Sequence, residues 1–288
     1  MTVISPSKSL LIASLLPLAG CTTPRVQAPS PTPATTPVES VPYAPSPVAE
    51  LSTTSGPSTY ESSPASASNP WTKPFPHIAL NQSTRQLRIA GFVPIDAHDP
   101  KKPNIFLEVL VCARNTKEHE ALVVTDAKPS HVHAALLLLG IEPGSPGRWD
   151  WLANTAKPSP NPPTGPRLRI SVQPANATSP APAYEPRDIT SWVIQVDRTT
   201  RLRPSDHFVF AGSRFQTIGP ANQTRDAYAA DVDGTIIGLA AFGSETIAWT
   251  GMYHPDISVQ SPAWIADSGA LPAFGTNVDV YVTIEADK

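Results

Sequence analysis

The sequence predicts an α+β domain, rich in sheet and organised as a single unit around one well-defined central helix, with a disordered tether ahead of it. Three observations lead there. Short runs of β-branched and aliphatic residues are separated by Pro- and Gly-rich connections, as sheet strands are. One stretch, from Ser130 to Gly140, has the composition and end signals of a buried helix. The residues up to about Pro76 are too poor in aliphatic clusters to offset the entropy of ordering.

The chain begins with a short region, Met1 to Ser9, whose one charged side chain is Lys8. Leu10 to Leu18 follows as an apolar segment, too short to span a bilayer, which takes about 20 apolar residues. It ends in Leu18-Ala19-Gly20-Cys21, and this resembles the lipobox of bacterial lipoproteins. The resemblance implies that residues 1–20 are a lipoprotein signal peptide. It also implies that Cys21 is the lipidated N-terminus of an exported protein, with the membrane as a partner through that lipid. Thr22 stands where an Asp would direct retention at the inner membrane. The expected location is therefore the bacterial cell envelope, on the outer membrane or facing the periplasm.

Residues 21–76 are mostly Pro, Ser, Thr and Ala, with charges only at Arg25, Glu39, Glu50, Glu61 and Lys73. Proline stiffens such a segment, so it is expected to act as a disordered, semi-stiff tether with an r.m.s. reach of about 40 Å.

Residues 77–288 form the folded domain in this reading. Its expected strands are Gln86–Val93, Ile105–Val111, Ala121–Thr125, Arg167–Gln173, Trp192–Asp197, His207–Ala211, Thr235–Ala240 and Val278–Glu285. The helix is expected to start near Ser130 as its cap and to end at Gly140, with Pro143 beyond. Sheet with one buried helix is the α+β arrangement.

Composition removes several classes of function. With only two cysteines, and Cys21 assigned to lipid, Cys112 is left without a disulfide partner and no cysteine series remains to ligate an iron–sulfur cluster. Net charge is −3 and no basic stripe runs along the chain, so no nucleic-acid partner is expected.

Several blocks together resemble the YdjY-like domain family of exported bacterial proteins. They are Val111-Cys112-Ala113, Thr116-Lys-Glu-His-Glu-Ala-Leu122, Val132-His-Ala-Ala-Leu-Leu137 and Gly140-Ile-Glu-Pro-Gly-Ser-Pro146. Phe208-Val-Phe-Ala-Gly-Ser213, Phe215 and Phe274-Gly-Thr-Asn-Val-Asp-Val280 continue the match, which covers roughly residues 80–286. The chain departs from the family pattern at Ala241-Phe242-Gly243, where an Asn before Phe-Pro is expected, and at Ala248, where an acid is expected. The resemblance implies a fold and a location, and no reaction.

The candidate functional residues are Lys117, Glu118, His119, Glu120, His133 and Cys112. Carboxylate and imidazole suit zinc or acid–base work, and a thiol beside an imidazolium is a nucleophile. Geometry limits the set: on a helix His131 and His133 point in nearly opposite directions, so only one of them can join His119. No metal is assigned. Asp231-Val-Asp-Gly-Thr235 matches a phosphotransferase signature, but only about 50 residues follow it, too few for a doubly wound sheet. A tight hairpin turn is expected there instead. Trp149 and Trp151, after a Gly/Pro-rich loop, are candidates for lining a sugar or peptide groove.

The functional expectation is a cell-envelope lipoprotein whose domain binds a small ligand or an envelope protein and is not an enzyme. The alternative is a hydrolase or metal-dependent enzyme using Glu118, His119 and His133. The cofactor is unknown.

Overall fold

The structure, a computed structural model, describes residues 70–153, 155–175 and 186–286. The expected signal peptide, Cys21 and the tether as far as residue 69 lie outside the described residues. Strand pairing starts with β1 (Thr72–Phe75) and continues through β2 (Ile78–Asn81) and β3 (Gln86–Phe92). The β2–β3 turn is held by the Asn81 side-chain oxygen, which accepts from the amides of Ser83 and Thr84 at 3.1 and 3.2 Å. In β3 the alternation of apolar and polar residues buries Leu87 and Ile89 and leaves Ala90 outside.

Next come β4 (Val109–Ala113), a 3-10 turn at Glu118–Glu120, and β5 (Ala121–Thr125). The helix α1 (Pro129–Leu138) follows, then the short pair β6 (Arg148–Asp150) and β7 (Ser159–Asn161). A long strand β8 (Arg167–Pro174) buries Leu168, Ile170 and Val172 and carries β9 (Arg187–Asp188) on part of its edge. Then follow β10 (Val193–Gln195), β11 (Phe208–Phe210), the hairpin β12 (Phe215–Ile218) and β13 (Arg225–Tyr228), and the short helix α2 (Ala229–Asp233). The last strands are β14 (Thr235–Gly238), β15 (Ile247–Trp249), β16 (Trp264–Ala266) and β17 (Asn277–Ile284).

Eight of these strands close into a barrel in the order β3-β17-β8-β11-β15-β14-β4-β5, with β5 returning to β3 through the pair Phe92↔Val124. The pairs β4–β5 and β14–β15 are parallel and the other six are antiparallel. The closure is tight. A Cβ at Gly91 would lie 2.6 Å from the Val124 carbonyl oxygen and 2.7 Å from a Val123 methyl, so only glycine lets β3 approach β5 there. Inside, Leu87, Ile89, Leu110, Leu122, Ile170, Phe210 and Ile236 are fully buried in one cluster.

This architecture overturns the expected α+β class. Only about 11% of the structure is helical, one helix alone reaches seven residues, and the domain is a β-barrel rather than a sheet covered by a central helix. The physical reason is that a closed barrel buries one face of every strand against the others and needs no helical layer. The continuous apolar runs at β4 and β5 are buried on both faces, with Phe92 of β3 and Phe242 packed over the outer one. Helix α1 lies against β1, β2, β14 and α2, and it sends Val132, Ala135 and Leu136 into the barrel's core cluster from one end.

Two local expectations are also corrected. Ser130 lies inside α1 rather than capping it: Lys128 is the N-cap and Pro129 opens the helix, while the Ser130 amide donates to Asp231 at 2.8 Å. Asp231–Asp233 is not a hairpin turn but the end of α2, closed by Gly234 in the left-handed conformation at φ 82°. At the other end of α1, Gly140 has φ 78° one residue after the cap Leu139.

Candidate functional site

The outer face of β4, β5 and β14 carries the chemistry the sequence pointed to, with additions. Cys112 is fully buried in a small cluster with Val109, Ala121 and Val124, over which Phe92 and Phe242 pack. Burial pushes its thiol up to about 11, against the opposing hydrogen bond of Thr116, so at neutral pH it is a protonated thiol inside an apolar patch. Lys117 sits at the rim of this patch. Its ammonium donates to the Thr235 hydroxyl at 3.0 Å and lies 3.3 Å from the centre of the Phe242 ring, a cation–π contact.

Glu118, His119 and Glu120 form the 3-10 turn that leads into β5. Glu118 accepts from the Asn115 amide, so one carboxylate oxygen closes the turn. His119 is 81% exposed, and its Nε2 lies 3.9 Å from a Glu120 carboxylate oxygen. Glu120 in turn meets Glu108, a residue the sequence reading had absorbed into an apolar strand run. Half-burial, then the charge of Glu120, push the Glu108 carboxyl up to about 7, while Lys117 opposes the shift. Burial and then the charge of Glu108 raise the Tyr253 phenol beside them. The arrangement is a carboxyl pair that holds a proton near neutrality, flanked by one ammonium.

His133 is not part of it. From α1 its Nδ1 lies 3.1 Å from the Gly212 carbonyl and 3.0 Å from the Tyr228 hydroxyl, and its ring meets Phe210 edge-on at 5.0 Å. Burial depresses its basicity. His131 stacks on Phe75 at 4.7 Å. Neither histidine joins His119, and among the described residues no group of three or more His, Cys, Asp or Glu is placed to hold a metal ion. The contrast is measurable. His119→Ala should leave the thermal midpoint within the change given by about 0.5 kcal/mol, whereas His133→Ala, which strips a half-buried hydrogen bond and a ring contact, should cost about 1–3 kcal/mol.

A second feature adjoins the first through Phe242. Pro146, Gly147, Arg148, Trp149, Arg214, Phe242 and Gly243 line an open cleft of about 460 Å³. The loop 241–246 makes one wall. Trp149 fixes it by donating from Nε1 to the Ala241 carbonyl at 3.1 Å, and Arg214 by donating from Nε to the Gly243 carbonyl at 2.9 Å. Trp149 packs its ring on His254 at 4.7 Å, while Trp151 is 64% exposed and does not line the cleft. Arg148 is neutralised by Asp150 at 3.1 Å, so Arg214 is the cleft's uncompensated charge.

Glu245, which sequence reading missed, belongs to this same loop and turns its side chain inward beneath the wall. It is fully buried, its Oε1 accepts from the amides of both Phe242 and Gly243, and its Oε2 has no hydrogen-bond partner. The departure from the family pattern at Ala241-Phe242-Gly243 falls on this loop, while the expected acid was placed at Ala248, in β15. Asp233 receives the Ser244 hydroxyl and the Thr235 amide, so both aspartates of the Asp231–Asp233 segment serve local structure.

Fold and site together define a closed, mixed β-barrel domain with a carboxyl pair on its outer face and an aromatic, arginine-bearing cleft beside it. A family model, the YdjY domain, matches residues 78–283, and the chain belongs to that family. No curated protein and no solved structure matches the chain.

Proposed function

We propose that this chain is an exported, cell-envelope lipoprotein, anchored through Cys21 and lifted from the membrane by the residues between Cys21 and β1, whose barrel binds a ligand without transforming it. The cleft carries this reading. It offers the ring of Phe242 and the edge of Trp149 as apolar surface, and the Arg214 guanidinium as a charge with free N–H groups. Such a surface suits a ring with an apolar face and one anionic group, as in an acidic sugar: the apolar face packs along the aromatic edges and the anion meets the guanidinium.

Two measurements test the two halves. Titrating the protein with trigalacturonate and with neutral cellotriose should show binding of the acidic sugar alone. Arg214→Ala should weaken that binding by about tenfold or more, the value of a charge-assisted hydrogen bond. Equal binding of both sugars, or an unaffected Arg214→Ala, rejects the ligand class. Cys21→Ser should move the protein from the membrane to the soluble fraction of the producing cell. Attachment that survives both this substitution and a high-salt wash contradicts the anchor.

A further inference from the structure

The buried glutamate under the cleft has a role that ligand contacts alone do not describe. Glu245 is 0% exposed, and its stem rests against β14 so closely that a Cβ at Gly238 would lie 2.4 Å from the Glu245 Cγ. One carboxyl oxygen holds the amides of Phe242 and Gly243, the two residues that form the cleft wall, and the other has no partner. An ionised carboxylate in that position would leave a charged oxygen buried without a donor, which costs several times what a neutral hydroxyl does.

Resting on the reading of the cleft as a ligand site, we infer that Glu245 positions the Phe242–Gly243 wall as an un-ionised acid, and that loss of its proton releases this wall, so that pH sets the shape of the cleft. Glu245 is a positioning residue here, since it touches the loop and lines no part of the cleft.

The charged groups around it agree. From α2, Asp233 presents a second carboxylate, and from β14 the uncharged Gly238 lies against the side chain. Arg214 reaches the loop at the Gly243 carbonyl and Lys117 at the Phe242 ring, each engaged with the loop's outer side. Burial, the largest influence, together with Asp233, pushes the Glu245 carboxyl up to about 7 against the pull of the two amides. The proton is therefore exchanged within the range an envelope protein meets.

The test uses the folded protein labelled with carboxyl-¹³C glutamate, with Glu245→Gln to assign the signal. The Glu245 carboxyl should titrate above pH 6. Protection of the Phe242 and Gly243 amides against hydrogen exchange should fall by up to about tenfold for each pH unit between pH 4.5 and that midpoint, and level off above it. In Glu245→Gln, which mimics the neutral acid, this fall should vanish. A Glu245 titration near pH 4.5, or the same loss of protection in Glu245→Gln, overturns the inference. If the variant does not fold, the wild-type titration and exchange decide between the same two outcomes. Neither readout involves a ligand, so failure of trigalacturonate to bind and failure of this inference are separately visible.

Discussion

Gly91→Val should destabilise the domain by at least about 3 kcal/mol, read as a lower guanidinium midpoint. The first added carbon would sit 2.6 Å from the Val124 carbonyl oxygen and 2.7 Å from a Val123 methyl, and the nearer of these is backbone that no rotamer change can move. The strands must separate, and the place where they separate is the seam between β3 and β5, where a single register pair, Phe92↔Val124, completes the ring. Ala90→Val is the matched control. Ala90 faces outward on the same strand, so a β-branched residue there should change stability by less than about 0.5 kcal/mol. If Gly91→Val proves as stable as the control, the seam is looser than the structure has it.

The second large effect is a loss of stability as pH rises from about 4.5 to 7. The sign follows from which state holds the protons. Glu245 is raised from 4.5 to about 7 by burial first, so the folded state binds its proton more tightly than the unfolded state does. Its contribution is complete below pH 4.5 and is lost as pH climbs through 7, and a shift of that size corresponds to about 3 kcal/mol. Glu108, half-exposed, adds a smaller contribution of the same sign over the same window, and Asp279, raised by burial against the pull of Arg88, adds one of the same sign that begins in the ordinary aspartate range.

His133 works the other way. Burial depresses it, so below pH 6.5 its protonation favours the unfolded chain, but the two glutamates moved to about 7 outweigh it. Asp126 and Asp197 are lowered, by Arg114 and by Thr200 first, and their contribution is lost only as pH falls below the ordinary aspartate range. Guanidinium midpoints should therefore peak near pH 5 and decline by pH 7.5. A midpoint that is flat or rises across that interval would rule this out.

How much of this was legible in the residues depends on segment length. β3, β5, β8 and β17 are long enough for alternation or an apolar run to show, and they lie where the pattern puts them. Ile105–Val111 was read too early: pairing starts at Val109, and Phe106 makes only an isolated bridge to Ile265. β15 and β16 have three residues each, too few for any period, and they form only because neighbouring strands supply the partners. Closure itself was invisible, since it rests on one glycine opposite Val124 and no local signal marks a long-range approach. That is why helix α1, marked in the sequence by Ser130, Gly140 and Pro143, takes the centre of the expected fold.

The site divided in the same way. The turn Lys117–Glu120 was visible as a polar block before a strand. Glu108 is hidden inside Ile105-Phe-Leu-Glu-Val-Leu-Val111, a run that reads as a strand from its apolar residues. Phe242 was noticed only as a departure from the family pattern, yet it joins the Lys117 patch to the cleft.

β17 lies between β3 and β8, so the ring has no continuous path until residues 277–284 are in place. Its pairing with β3 brings together residues as far apart in sequence as Gln86 and Thr283, 197 positions. Contacts of that separation form late and slowly. While the chain emerges from its N-terminus, β3 and β8 each expose a bare edge that only the final strand can cover. A chain stopped before residue 277 would carry nearly every core side chain and still be unable to finish folding.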